Sequence, residues 1–172
     1  NIHQPGVAVG GHCIPVYPRF YLWNDPEASI VRAARDVNSE MPTYSVSLLD
    51  SALNGMEGKT VVVLGATYRG GVKETAFSGV FPLVKAISSR GGTPLVHDPM
   101  YSAVELRSLG LGPFERGRHV DGAILNAAHE DYLSWTVLDL VDVEVILDGR
   151  NFLNPDSWPG VRLSPIGKSD GE

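Results

Sequence analysis

Residues 59–64 read KTVVVL and run straight into Gly65. A continuous apolar, β-branched run closed by glycine suits a strand buried on both faces, the kind found in parallel sheets covered by helices. A strand with no polar face needs a layer of structure on each side, so this run constrains the fold more than any other segment. The chain downstream can supply those layers. Residues 78–90 carry a helical pattern in which Pro82 is tolerable only near the first turn. Residues 93–97 predict a second strand and residues 102–109 a short helix. Residues 121–125 and 143–147 predict further strands with a helical stretch over 130–140 between them, and 161–163 a last edge strand. Strands alternating with helices predict an α/β fold with a Rossmann-like, doubly wound, mainly parallel sheet.

The first part of the chain has another character. Residues 1–22 are rich in Gly and Pro and read as loop. Asn24-Asp25-Pro26-Glu27 predicts a helix start, with Asp25 as cap, Pro26 in the first turn and Glu27 against the dipole. Ile30, Val31, Ala34 and Val37 follow at helical spacing. Met41-Pro42 predicts an interruption, because proline disfavours the α conformation in the residue before it. A second helix is expected over 43–53, ending at Gly55. The division between a loop-and-helix segment, 1–57, and an α/β domain, 58–172, falls near Glu57.

Composition excludes several function classes. With 43% hydrophobic residues in 172, the chain can bury a core. A formal net charge of −6 argues against nucleic acid or an anionic membrane as the main partner. The single cysteine, Cys13, rules out an intrachain disulfide and points to a reducing, cytoplasmic setting. No apolar run approaches the ~20 residues a spanning helix needs, and no secretory signal opens the chain. The start at Asn1 rather than Met reads as a truncation.

Ligands in doubly wound sheets bind beyond the carboxyl ends of the strands. Residues 65–78, 98–101 and 148–151 leave those ends and are the expected source of a site. A second candidate is Gly10-Gly11-His12-Cys13-Ile14-Pro15. Two glycines allow close backbone approach and leave N–H groups free to donate. A thiol beside them and a histidine can act as a nucleophile. The alternatives are an inert buried cysteine and a metal site of His3, His12 and Cys13. Adjacent ligands and the lack of a second CxxC or HxxxH spacing argue against metal.

PGVAVGGHCIPVYPRFYL (residues 5–22) resembles the catalytic loop of the UDP-glucose/GDP-mannose dehydrogenase family. It is most similar to members that act on UDP-N-acetylhexosamines, where the loop reads PGxGVGGHCIPVDPxFL. ARDVNSEMP (34–42) resembles the family's AREVNDxMP segment. VVVLGATYRGGVKETAFS (61–78) resembles VAVLGLAYKPxVDDxRES. VHDP (96–99) and DGRN (148–151) fall where the family has YDP and DxRN. Five matches in family order carry far more weight than any one of them.

The resemblance implies NAD-dependent oxidation of the C6 alcohol of a UDP-sugar to a carboxylate, in two steps, through a cysteine thioester. It assigns Cys13 as that nucleophile, with Gly10, Gly11 and His12 lining the sugar pocket. It places Tyr68 and Arg69 against the nucleotide sugar, and Arg150 against its diphosphate, which a guanidinium can grip through two parallel bonds. It implies a homodimer for the parent protein, with part of the central helical domain in residues 1–57.

Some family features are absent. There is no GxGxxG after a strand, so this chain by itself is expected neither to bind NAD nor to be active. The family's aspartate four residues after the cysteine is Tyr17, the arginine of its DxRxS segment is Ala76, and its acidic pair is Lys73-Glu74. Tyr17 and Ala76 favour the alternative reading, a non-catalytic nucleotide-sugar-binding or dimerisation module of the same family.

Overall fold

The computed structural model describes residues 6–167. Numbered along the chain, β1 (Thr60–Leu64) sits inside a parallel sheet with β2 (Thr93–His97), β4 (Gly122–Leu125), β6 (Val145–Asp148) and β7 (Arg162–Pro165), in the order β2-β1-β4-β6-β7. The expected Rossmann-like α/β sheet is therefore the fold. Sheet order reverses at β1: the chain steps outward to β2, then returns to the other side of β1 with β4. That reversal opens a crevice at the strands' carboxyl ends.

The all-apolar β1 divides its side chains between two cores. Val61 and Val63 pack with Leu49, Leu53, Leu83 and Ile87 on one face. Val62 and Leu64 pack with Tyr132, Trp135, Leu140 and Trp158 on the other. The first face is covered by α2 (Ser29–Ala52) and α3 (Val80–Ser88). Pro82 is the third residue of α3, where no intrahelical N–H bond is lost. A short α4 (Ala103–Ser108) is started by a capping box in which the Ser102 and Glu105 side chains bond each other's backbone N–H. Leu53 caps α2. Asn54, at φ 56, and Gly55 then close the helix by donating to Ser51 and Asp50 carbonyls.

The helical part of the chain departs from its sequence reading in four places. Residues 13–24, expected as loop up to 22, form α1 (Cys13–Asn24). Pro15 falls in the first turn, where its missing N–H costs nothing, so Pro18 alone removes a helical bond. The next helix begins at Ser29 with Ala28 as its cap, not at Asp25. The Asp25 carboxylate instead accepts from Glu27 N–H at 3.2 Å in the turn between the helices. Pro42 does not interrupt α2, and is itself the first residue of the helix's buried face, which runs on through Ser45, Val46 and Leu49. Packing of that face outweighs one lost backbone bond. Of the helical stretch expected over 130–140, only a 3-10 turn, Glu130–Ser134, forms. Asp139 Oδ2 takes the Thr136 N–H and Thr136 Oγ1 takes the Leu138 N–H, local bonds that compete with helix. The chain then enters β5 (Leu140–Val141), which pairs in parallel with β3 (Arg118–His119) in a second small sheet.

Candidate functional site

The Gly10-Gly11 segment lies on the loop that leaves β1. Gly11 adopts φ +89 and donates its N–H to the Ala76 carbonyl at 2.9 Å. A Cβ on Gly10 would stand 2.7 Å from both the Phe77 carbonyl oxygen and the Tyr68 Cβ. Both glycines are thus required by contact with Tyr68 and with residues 76–77. Asn38 fixes the same segment from the helical side. Its side-chain oxygen accepts from Val9 N–H at 2.8 Å and its amide donates to the Val9 carbonyl at 3.4 Å.

Arg150 follows β6 and reaches back across the crevice. Its Nε donates to the Asn126 carbonyl at 2.8 Å and a terminal nitrogen to the Ala8 carbonyl at 3.3 Å. Burial pulls this guanidinium below the ordinary arginine value, with Asp148 opposing. Asp148 serves the backbone rather than the guanidinium: its carboxylate accepts the N–H groups of Arg150, Phe152 and Leu153 at 2.7–2.9 Å. A bound anion would offset the desolvation that Arg150 bears.

A cleft of about 300 Å³ brings together Gly10, Ile14, Tyr68, Arg69 and Arg150, with Ala8 and Val9 along one wall. Four of the seven residues singled out from the sequence meet there. Gly11 is buried under the Tyr68 ring, 3.1 Å from its nearest ring carbon by the same Cβ measure. His12 and Cys13 stand outside the cleft lining. His12 Nε2 lies 3.3 Å from Glu74 Oε2, and Glu74 is held below the usual carboxylate range by the Ala76 N–H and by His12. Cys13 is the first residue of α1, exposed, and next to Ile14 of the cleft wall. His3, the third member of the metal set considered above, lies outside the described residues. Among those residues no group of three His, Cys, Asp or Glu side chains is placed to hold a metal.

Of the three strand-end segments, 65–78 and 148–151 line the cleft. The other, 98–101, shapes it from beneath. Asp98 is buried and accepts the Ala66, Thr67 and Met100 N–H groups at 2.8, 3.1 and 2.8 Å. His129 Nε2 lies 3.2 Å from its carboxylate. Burial raises the Asp98 carboxyl, but the His129 and backbone bonds outweigh it and the value falls below the ordinary one. Asn126 completes the frame by donating to the Gly65 and Thr67 carbonyls at 2.9 and 3.1 Å. Sequence reasoning did not single out Asn38, Asp98, Asn126 or Asp148 as site-building residues. Three of them had a signal: Asp98, Asn126 and Asp148 are polar residues at the ends of apolar strands, positions that need a partner once buried.

Comparison with known proteins agrees with this frame. Residues 62–155, more than half of the chain, match the UDP binding domain of the UDP-glucose/GDP-mannose dehydrogenase family. The UDP-N-acetyl-D-mannosamine dehydrogenase of Pyrococcus horikoshii is 31% identical over 99% of this chain and 41% of its own length. That of Methanococcus vannielii is 28% identical over 97% of this chain and 41% of its own. The solved UDP-D-ManNAc dehydrogenase of P. horikoshii superposes with a TM-score of 0.80 at 27% identity, over 97% of this chain and 40% of the other. The chain therefore spans about two fifths of the length of these relatives. On its fold, its motifs and this match, the chain belongs to the UDP-glucose/GDP-mannose dehydrogenase family.

Proposed function

We propose that this chain is the UDP-sugar-binding part of an NAD-dependent UDP-sugar dehydrogenase, with a UDP-N-acetylhexosamine as the best-supported substrate class. The observation that carries the reading is the cleft in which Gly10, Tyr68, Arg69 and Arg150 converge beyond the ends of β1 and β6. In it the diphosphate lies against Arg69 and Arg150, and the sugar points along the Gly10-Gly11 segment towards Cys13. Cys13 adds its sulfur to the C6 aldehyde left by the first oxidation. NAD, held elsewhere in the parent protein, would take the hydride of the second. Water then releases the carboxylate from the thioester and returns the thiol. Residues 1–57 carry this loop and the family's helical segment, and 58–172 the nucleotide half of the pocket.

The described residues do not fit the dinucleotide. The turn after β1 is the place where a doubly wound fold offers backbone N–H groups to a pyrophosphate. Here Ala66 and Thr67 spend theirs on Asp98. NAD in this reading belongs to another part of the parent protein. The non-catalytic alternative keeps support from Tyr17, 66% exposed where the family has aspartate, and from Ala76 in place of its arginine.

Titration of UDP, followed by amide shifts, tests the nucleotide half. UDP should shift residues around Arg69 and Arg150. Arg150→Ala should weaken binding by roughly 1.5–3 kcal/mol, the range for a charge-assisted bond. Because Arg150 also braces the Asn126 and Ala8 carbonyls, Arg69→Ala is the second variant and should weaken UDP without touching that brace. Arg107→Ala, on α4, should bind as the parent does. Shifts that bypass Arg69 and Arg150, or full affinity in both variants, would sink the assignment.

A further inference from the structure

A second cleft of about 300 Å³ lies on the other side of the Ala8–Val9 wall, between α1, α2 and the start of α3. Two arginines line it, Arg19 from α1 and Arg35 from α2. No carboxylate lines it. Neither arginine forms an ion pair among the described residues. Arg19 instead stands over the Phe77 ring, 5.9 Å from its centroid. The chain is acidic, and several of its arginines are otherwise engaged: Arg90 with Asp50, Arg116 with Asp139, Arg118 with Glu115. Two unpaired guanidiniums facing one cavity leave uncompensated positive charge where an anion could be partly desolvated. The remaining wall is apolar and aromatic, formed by Phe77, Phe81, Pro15, Pro42 and Pro82, with Ser39 and Asn38 at its edge.

We propose that this cleft is a second anion site, separate from the Arg69–Arg150 cleft, and that it takes an organic phosphate. The phosphoryl group lies between Arg19 and Arg35, whose two positive charges match a dianion. The body of the ligand lies on Phe77, Phe81 and the prolines. The site does not depend on the nucleotide reading above.

The test is titration of the whole chain with phenyl phosphate, with inorganic phosphate and benzoate as comparisons. Phenyl phosphate should shift the Arg35, Ser39, Phe77 and Gly79 amides. Inorganic phosphate, lacking the apolar body, and benzoate, a monoanion, should each bind more weakly. Arg19→Ala and Arg35→Ala should each weaken phenyl phosphate about tenfold or more, the loss of one charge-assisted contact. Arg19 is exposed and Arg35 half-buried, and an unaltered amide spectrum elsewhere confirms that the variants fold. Arg107→Ala should change nothing, and Arg69→Ala, in the other cleft, should leave the phenyl phosphate affinity as it was. Benzoate binding as tightly, full affinity in either arginine variant, or loss of phenyl phosphate binding in Arg69→Ala would overturn the second site. Failure of UDP to touch Arg69 and Arg150 would sink only the nucleotide reading.

Discussion

Gly10 shows how one atom can decide whether the Gly10-Gly11 segment seats. The space its missing side chain leaves is filled by the Phe77 carbonyl and Tyr68 Cβ, each 2.7 Å from where a Cβ would be. One of these is backbone, so the segment must lift rather than a side chain turn away. Gly10→Ala is expected to destabilise the chain by about 1–3 kcal/mol, the usual cost of overpacking. It should also weaken the Gly11 N–H bond to Ala76 and abolish the UDP shifts at Tyr68 and Arg69. A parent-like melting curve together with an unmoved Gly11 amide would refute this. At the glycine pair the sequence predicts close approach of a ligand and N–H groups free to donate; instead Tyr68 and Phe77 fill the space beside Gly10, and the Gly11 N–H goes to the Ala76 carbonyl. Asn38 was not legible, although it lies in a quoted segment. Its two bonds to Val9 join residues 29 positions apart, and local spacing gives no clue to such a contact.

Among the elements, the strands were the most readable and the helices of the first 57 residues the least. β1 is defined by what it lacks, a polar face, and a sequence shows that directly. α1 is defined by a balance. Its prolines argue for loop, and only knowing that Pro15 occupies the first turn removes one of the objections. Across Met41-Pro42, the local penalty is visible in the sequence while the buried face that overrides it depends on tertiary packing. At α4, local signals agree, and the helix start carries a pH dependence. Lys73 and the Ser102 N–H and hydroxyl hold the Glu105 carboxyl down at about 2, from an ordinary 4.5. A carboxyl depressed by folding adds stability above its unfolded value and loses it as pH falls towards its folded one. The helix start should therefore hold above pH 4.5 and loosen between pH 4.5 and about 2. The Ser102 and Glu105 amide shifts should titrate with a midpoint near 2, and Lys73→Ala should move that midpoint upward. A midpoint at the ordinary 4.5 in the parent chain would show that the box does not hold the charge.

At the scale of the whole molecule, the sequence marks a division near Glu57, while the core runs through it. Val46, Leu49 and Leu53 of the long helix and its cap are buried in the same cluster as Val61, Val63, Ile124 and Leu147 of the sheet. Leu49 and Leu53 fill the space above Gly122, 3.3 and 3.0 Å from where its Cβ would be, so the strand and the helix have been fitted to each other. The division at 57 is one of role in the proposed enzyme, and the last turns of α2 belong energetically to the α/β unit. Leu49, fully buried, is the place to measure that. Leu49→Ala should cost about 2–5 kcal/mol, the transfer of the lost atoms plus the cavity they leave. If helix and sheet form one cooperative unit, far-ultraviolet circular dichroism and tryptophan fluorescence, to which the buried Trp135 and Trp158 contribute, should report one coincident transition in the parent. Trp158 is buried in the core on the opposite face of the sheet. Both signals should move down together in Leu49→Ala. The helical signal moving alone, with the tryptophan transition unchanged, would mean that α2 is a separate folding unit. The Asn38 clamp would then reach the Gly10 loop from a helix free to come away from the sheet, leaving no rigid base for the cleft of Arg69 and Arg150.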